Sequence, residues 1–425
     1  MPTWTAQKWI QSIAVAGLGI ASFCFNPPEY HRNAIIVVHG GSEAFALAES
    51  IVNHHSFSDP FKALPTGPSA QIAPLYPAYL AFVIAAFGHG GVAVAVLDWS
   101  MALMLALQTM LLPALSRRLG LGFWTGFLAS LAFMATGIPP TLMSEATPAG
   151  LLIIMAAFSM SKSFTEKMST KSLIVSGVVW GALLLMQPAV ILVLVVWLLL
   201  LHFRSQSSIR QKIALGLLPI ILVSPWMVRN FLVFHKPVFI RDNLGMELAV
   251  SNNPCASVLF ETNLESGCYS RVHPNLSYEE ALKVQQLGEV EYNQVKLREA
   301  TGWIRANPAA FAALSARRFE AFWLPPFSSN PETGVLLRPS VLYCFTLASV
   351  AGMFVMWRNA RFSAYVVGLW LVLFPLTYYV TQSGARFRYP ILWATFLPGS
   401  YFLTQLAQGL SGGLRTSKQL AEFFG

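Results

Sequence analysis

The sequence predicts an all-α polytopic membrane protein, a bundle of about ten to eleven transmembrane helices. Three observations carry that reading. Of 425 residues, 55% are hydrophobic and only 11% charged, where a soluble domain carries about 25% charge, and the mean hydropathy is +0.55. Apolar runs of roughly 20 residues, enough to cross a bilayer as helix, recur along the chain. Lys and Arg cluster between those runs, as orientation signals do. A net charge of +9 would suggest nucleic acid in a soluble chain, but confined to short loops it disfavours nucleic-acid binding. Four cysteines exclude a disulfide-built scaffold, and no CxxC or His/Cys cluster has structural-zinc spacing.

In chain order, the apolar run 9–25 follows Lys8, and "SFCFNPPEY" lacks a small-x-small cleavage site, so the run reads as a retained first span, 8–25, and not as a signal peptide. Further spans are expected at 92–115, 121–138, 146–161, 172–187, 188–203, 213–229, 338–356, 362–381 and 391–409. These ten place Arg117/Arg118, Lys162/Lys167/Lys171, Arg204/Arg210/Lys212, Arg358/Arg361 and Arg415/Lys418 on one side, which the positive-inside tendency makes the cytoplasm. One more segment, "IAPLYPAYLAFVIAAFG" from Ile72, would break that parity as a full span. Pro74 and Pro77 interrupt its start, so it is expected to be re-entrant or interfacial on the outer face.

Segments 26–91, 138–146, 230–337 and 382–390 then share the extracytoplasmic side. The whole chain, 1–425, reads as a single membrane-embedded domain, with 26–91 a first outer loop of juxtamembrane or re-entrant helices and 230–337 a helical insert. Within the insert, Ser277 and Glu280 have capping-box spacing. Asn307 is expected at an N-cap with Pro308 at the first helical position, and Phe311, Leu314, Phe319 and Phe322 on one helical face. Cys255 and Cys268 either pair in an oxidising compartment, contributing ~3 kcal/mol on the chain-entropy model, or remain two free thiols. No internal repeat is evident, which weakens a transporter reading built on inverted repeats.

Four outer segments carry polar groups that structure alone does not require. In "VVHGGSEAFALAESIVNHHSFSDPF", Gly40 and Gly41 break the chain, Ser42 can cap a helix, and Glu43 and Glu49 ride on it. Glu43 is either a first-turn acid favoured by the helix dipole or a general base. Glu145, in "TLMSEATP", is either a loop charge or part of a polar cavity. In "SPWMVRNFLVF", Trp226 and Arg229 are interface anchors or point inward. In "GARFRYP", Arg386 and Arg388 stand one residue apart and cannot both snorkel along one side of a helix. An inward guanidinium at the outer leaflet suits a phosphate, which its planar fork binds in bidentate fashion. A lipid-linked phosphate fits best, since a soluble ester would not need so many apolar segments around it.

Taken in order, "AFALAESIVNHHSF", "APLYPAYLAFVIAAFG", "SEATPAGLLI", "SPWMVRNFLVFHKPVFIRDNLGMELAVSNNP", "FEAFW" and "RFRYPIL" resemble GT-C type membrane glycosyltransferases that use polyprenyl-phosphate sugars. These are the dolichyl-phosphate-mannose-protein mannosyltransferases and their bacterial relatives, including lipid A aminoarabinose transferases. The resemblance spans nearly the whole chain, and "PWMVRN" and "RFRYP" are its most specific pieces. It implies a GT-C-like bundle with a first-loop helix pair, a donor carried on an isoprenoid phosphate, and a first-loop carboxylate that takes the acceptor's proton. In the family this acid is usually an Asp three or four positions before the aromatic preceding "LA"; here Phe45 is that aromatic and Gly41 and Ser42 occupy those positions.

The nearest acid is Glu43, which the resemblance makes the provisional base, with Asp59 or Glu145 as alternatives. The phosphate role falls to Arg229, Arg386 and Arg388, with Tyr389 adding a hydrogen bond or anchoring the interface. Glu145, Asp59, Asn252 and Asn253 would line the cavity. Some relatives use a divalent metal ion, but no DxD-like cluster is present and no metal ligand is assigned. The expected activity is inverting transfer of a sugar from a polyprenyl-phosphate donor to a hydroxyl of a cell-envelope glycan, lipid or protein, at the extracytoplasmic (periplasmic) face of the inner (plasma) membrane, among membrane lipids. A flippase for a lipid-linked anion would place polar residues deep in the spans, where Asp98 and Gln108 are the main ones. A non-catalytic lipid-sugar-binding relative would explain the missing Asp.

Overall fold

A computed structural model describes residues 6–25, 42–137, 144–204, 207–325 and 339–423; Gly40 and Gly41 lie outside them, as do parts of the first, second and largest outer loops. Among the described residues the chain is helical, with two isolated bridges, Ser58 to Pro68 and Leu259 to Ser383, as the only extended pairings.

Helix α1 (Ala6–Phe25) is followed, beyond the first loop's opening, by α2 (Glu43–His54). Ser42 caps α2 as expected, its Oγ accepting from the Phe45 N–H at 3.2 Å. His55 ends it in the left-handed region at φ 52°. Helix α3 (Leu75–Phe87) begins at Pro74, and Pro77 is tolerated because its missing N–H falls in the first turn. At 13 residues it is ~20 Å long, against a hydrocarbon layer of ~30 Å. Phe45 and Ala48 of α2 and Tyr76, Leu80, Ala81 and Ile84 of α3 bury their apolar faces together. Leu97 and Met101 join them from α4 (Gly91–Arg118), so the first-loop pair rests on a long apolar helix.

Then come α5 (Phe123–Ala135), α6 (Ala146–Thr165), α7 (Thr170–Met186), α8 (Ile191–Arg204) and α9 (Ile209–Phe234). The insert contributes α10 (Leu244–Ser251), α11 (Phe260–Glu265), α12 (Cys268–Val272), α13 (Tyr278–Leu287), α14 (Glu289–Ala306) and α15 (Pro308–Trp323). The chain closes with α16 (Pro339–Asn359), α17 (Arg361–Leu373), α18 (Leu376–Val380), α19 (Ala385–Arg388) and α20 (Leu392–Phe423).

All ten expected spans coincide with helices. Five stretches are long and apolar enough by themselves to cross a membrane: Gly91–Arg118, Ala146–Thr165, Ile209–Phe234, Ser340–Asn359 and Arg361–Val380. Four apolar helices are shorter. The expected span 362–381 is interrupted between α17 and α18 at Pro375, which cannot donate a backbone N–H. At the bundle's centre Trp180 stacks on Trp370 at 5.8 Å and 10°. Helices α16 and α20 touch at Gly352, where a Cβ would fall 2.0 Å from the Pro398 carbonyl oxygen.

The insert is tightly organised. Cys255 and Cys268 are bonded, with Cα atoms 5.7 Å apart, which fixes the start of α12. Ser277 caps α13 by accepting from the Glu280 N–H, but Glu280 does not complete the capping box. Its carboxylate is taken by Lys283, Tyr292 and Lys296, each at 2.7 Å. Asn307 stands at the N-cap of α15 as predicted, its carbonyl accepting from the Phe311 N–H at 3.0 Å, but its side chain does not cap that helix: Nδ2 donates back to the Trp303 carbonyl at 3.0 Å, closing α14. Pro308 holds the first position of α15 as predicted. The expected stripe is divided, with Phe322 buried and Phe319 exposed, because Phe322 packs on Tyr378 while Phe319 sits at the helix flank against Tyr379.

Candidate active site

Five charged side chains from four distant stretches share one electrostatic neighbourhood: Glu43 in the first turn of α2, Glu145 before α6, Arg241 and Glu247 at the entry to the insert, and Arg386 in α19. Each is placed by local structure. Helix α10 lies directly on α14, since a Cβ at Gly245 would sit 1.9 Å from the Asn293 carbonyl oxygen and Asn293 Oδ1 accepts from the Met246 N–H at 3.0 Å. This sets the rotation of α10, and Asn243 Nδ2 then donates to Glu247 Oε1 at 3.1 Å. Arg241 is pinned by its Nε, which donates to the Gln71 carbonyl at 3.0 Å. Arg386 follows a short pairing in which Ser383 donates to Val258 and accepts from Phe260. Its neighbour Phe387 stacks on Tyr378 at 4.7 Å, while Arg386 itself stays exposed.

Glu43 is mostly enclosed, its side chain 15% exposed. Burial pushes its carboxyl up to about 8, with Glu247 and Glu145 adding to the rise and Arg241 and Arg386 opposing it. Burial also raises Glu247, against the pull of the same two arginines. Although part of Arg386 meets solvent, the protein packed round its guanidinium alone would weaken it as a cation; Glu145, Tyr269 and Glu247 outweigh that, and it is held above the ordinary value. His273, between α12 and α13, places Nε2 at 3.3 Å from Glu43 Oε1. Burial drives this imidazole down to about 3, so it is neutral here.

The predicted phosphate arginines divide. Arg386 joins Glu43 and Glu145. Arg229 instead donates to the carbonyls of Ser69 and Phe57 at 2.7 and 2.8 Å and to Asn230 Oδ1 at 3.0 Å, with Trp226 beneath it at 4.8 Å; it fastens the first loop to the end of α9. Arg388 is 2% exposed and donates to the carbonyls of Phe322 and Trp323 and to the hydroxyls of Thr346 and Thr395. It thereby satisfies the last carbonyls of α15.

Tyr389 is buried against Phe133, ring centroids 5.6 Å apart. Asp59 closes its own loop, its Oδ1 accepting from the Gly67 N–H at 2.7 Å. Asn252 bridges the Val380 carbonyl and Arg318, and Asn253 folds back on Ala249 and Val250 while accepting from Cys255. Sequence reasoning missed Arg241, Glu247, Tyr269 and His273. The first two lie in the quoted stretch "FIRDNLGMELAV", where a first-turn acid after an arginine was a usable signal. The other two had none, because their roles arise only when the insert folds back on the first loop. Among the described residues no group of three or more His, Cys, Asp or Glu is arranged to hold a metal ion.

The sequence matches no protein-family model and no curated protein. In structure the chain is similar to the oligosaccharyltransferase of the archaeon Archaeoglobus fulgidus, solved in complex with zinc and sulfate, with a TM-score of 0.53 at 12% sequence identity. The match covers 96% of this chain and 51% of that one, so the chain spans about half the length of the enzyme it resembles. That similarity is one of fold, a helical membrane bundle that carries an insert.

Proposed function

We propose that this protein transfers a sugar from a polyprenyl-phosphate donor to an acceptor hydroxyl at the extracytoplasmic face of the inner (plasma) membrane, with inversion. The observation that carries the reading is the meeting of Glu43, Arg241 and Arg386, from a first-loop helix, the insert and the entry to the last long helix, within one electrostatic neighbourhood. The acceptor is a cell-envelope glycan, lipid or protein.

The acceptor oxygen attacks the anomeric carbon from the face opposite the phosphate. The bond from that carbon to the phosphate oxygen breaks, and its electron pair leaves with the phosphate. Glu43 takes the hydroxyl proton, help typically worth 10²–10⁴-fold. Arg386, strongly cationic, receives the charge of the departing phosphate, helped by Arg241, which acts on the same acids. Guanidiniums fixed in advance stabilise that growing charge without reorganising. Lipid-linked chemistry fits a helical bundle whose outer surface is apolar, with Phe231, Leu232, Phe239 and Leu244 exposed around the entry to the insert. A divalent ion remains part of the test, by chelation of the purified protein.

Incubating purified protein with a panel of radiolabelled polyprenyl-phosphate sugars and membrane extract is expected to label an envelope component in the wild type and not in Glu43→Gln. Absence of label transfer from every donor, or equal transfer by Glu43→Gln, overturns the proposal.

A further inference from the structure

The acid proposed as base does not stand alone. His273 reaches it from the insert, at a separation of 230 positions, and every feature of its setting fixes which proton it presents. The Asn275 N–H donates to His273 Nδ1 at 3.1 Å, so the neutral ring carries its hydrogen on Nε2. That nitrogen is the atom 3.3 Å from Glu43 Oε1. The ring cannot turn away, because Tyr269 stacks on one face at 4.3 Å and 13° and the edge of Phe61 meets it at 6.0 Å and 80°. Asn275 is itself held, its Oδ1 accepting from the Lys62 N–H at 3.0 Å, and the His273 carbonyl accepts from Leu276 and Ser277 at 3.1 and 2.9 Å. The disulfide at Cys268 anchors the short helix that carries Tyr269.

We infer that His273 is a positioning residue for Glu43: its Nε2–H engages Oε1, orients the carboxyl group, and leaves Oε2 to receive the acceptor's proton. This rests on the proposed role of Glu43 for its consequence in transfer, but not for its geometry. A hydrogen bond donated to a carboxylate favours the ionised form, so the imidazole works against the burial that makes Glu43 reluctant to ionise. The other groups facing Glu43 are Glu247 and Arg241 from the insert, Arg386 from α19 and Glu145 ahead of α6, with Tyr269 alongside. The charged group facing His273 from behind is Glu280. None of these is altered by replacing the ring.

The test uses full-length protein and a hydrophobic carbodiimide, which adds to protonated carboxyl groups, with labelling of Glu43 followed by mass spectrometry across pH. Wild-type labelling is expected to fall by half near pH 8. His273→Phe keeps the stack on Tyr269 but has no donor, and its midpoint is expected to rise by about one pH unit, a tenfold gain in proton affinity. His273→Gln retains a donor at nearly the same place and is expected to keep the wild-type midpoint. Coincident midpoints for wild type and His273→Phe, or a fall in the latter, overturn the inference. Sugar transfer is measured on the same samples. A shifted midpoint in protein that transfers nothing removes the proposed function and leaves this inference standing, whereas active protein with coincident midpoints does the reverse.

Discussion

Replacing Arg388 and Arg386 by lysine, one at a time, separates an arginine that holds the protein together from one proposed to hold the phosphate. Arg388 spreads its fork over four acceptors, the carbonyls of Phe322 and Trp323 and the hydroxyls of Thr346 and Thr395, while 2% exposed. A single ammonium on a flexible stem can satisfy one or two of them. The two or so left unpaired cost about 1–3 kcal/mol each, so Arg388→Lys is expected to lose roughly 2–6 kcal/mol and to melt several degrees lower in detergent.

Arg386 sits instead among the charges of Glu145 and Glu247, with the ring of Phe387 at 5.1 Å. Lysine there keeps the charge but not the fork. Arg386→Lys should therefore melt like the wild type and lose transfer by ~10²–10³-fold, the loss typical of one donor to a developing anion. The assay pairs a thermal melt with transfer of labelled sugar at saturating donor. Wild-type melting with lost transfer in Arg388→Lys, together with full activity in Arg386→Lys, would refute the assignment and move the phosphate to Arg388.

Transfer should climb with pH. With its carboxyl raised to about 8, Glu43 is about one-tenth ionised at pH 7, so kcat/KM should rise ~10-fold between pH 7 and 9 and then level; a profile flat over that range moves the base elsewhere. Glu43→Gln should abolish transfer while melting no lower than the wild type at pH 8, since the folded pKa lies above the unfolded value and ionisation opposes folding as pH rises between the two; a destabilised Gln variant would contradict this. Cys255→Ser should cost ~3 kcal/mol of stability and weaken transfer by loosening the helix beneath Tyr269, read by melting and by non-reducing mass mapping, which should find both wild-type thiols unreactive. Gly245→Ala should separate α10 from α14, because its Cβ would meet the Asn293 oxygen at 1.9 Å; overpacking of this kind costs about 1–3 kcal/mol, and unchanged melting would sink the close-contact argument.

What the sequence made legible follows a physical divide between local and non-local determinants. Span positions are local, fixed by twenty or so apolar residues in a row, and each expected one holds a helix. Ser42 at the head of α2 was readable because a cap acts three residues away. Glu280 was half readable: its backbone N–H obeys the local cap, but its carboxylate follows Lys296 and Tyr292 from the next helix. The arginines were the hardest. Type and spacing announced that some guanidinium turns inward, yet which one meets a ligand and which meets backbone depends on where loop carbonyls end up. Arg229 and Arg388 are committed to such carbonyls, and nothing near them in the chain says so.

The same contacts tie the candidate site to both the first loop and the insert. The strap 57–71 of the first loop is held from the insert side and the end of α9 along its length: Arg229 on Phe57 and Ser69, Asn275 on the Lys62 N–H, Gln285 on the Pro65 carbonyl, Arg241 on Gln71, the Asp242 N–H on the Ala70 carbonyl at 2.9 Å, and the Glu289 carboxyl group on the Ser69 hydroxyl and Ala70 N–H, both at 2.6 Å. Between α2, which carries Glu43, and α3 there is no other path for the chain, so the strap sets how far α2 can move. Release of the insert would therefore free Glu43 in two ways at once, by removing His273 from its Oε1 and by slackening the strap. Burial raises Glu289 to about 8, and this buried acid is the one strap contact that ionises near neutrality. A carboxyl that accepts two donors is served by either protonation state at Oε1 but best by the carboxylate, so the strap is expected to persist across the pH range in which Glu43 ionises. Loosening of the strap should then appear only when Glu289 is removed: Glu289→Ala, which leaves the Ser69 hydroxyl and the Ala70 N–H without their acceptor, should accelerate hydrogen exchange across 57–71 and through α2 together. Faster exchange confined to 57–71, with α2 unchanged, would show that Glu43 is positioned by the packing of α2 against α3 and not by the strap.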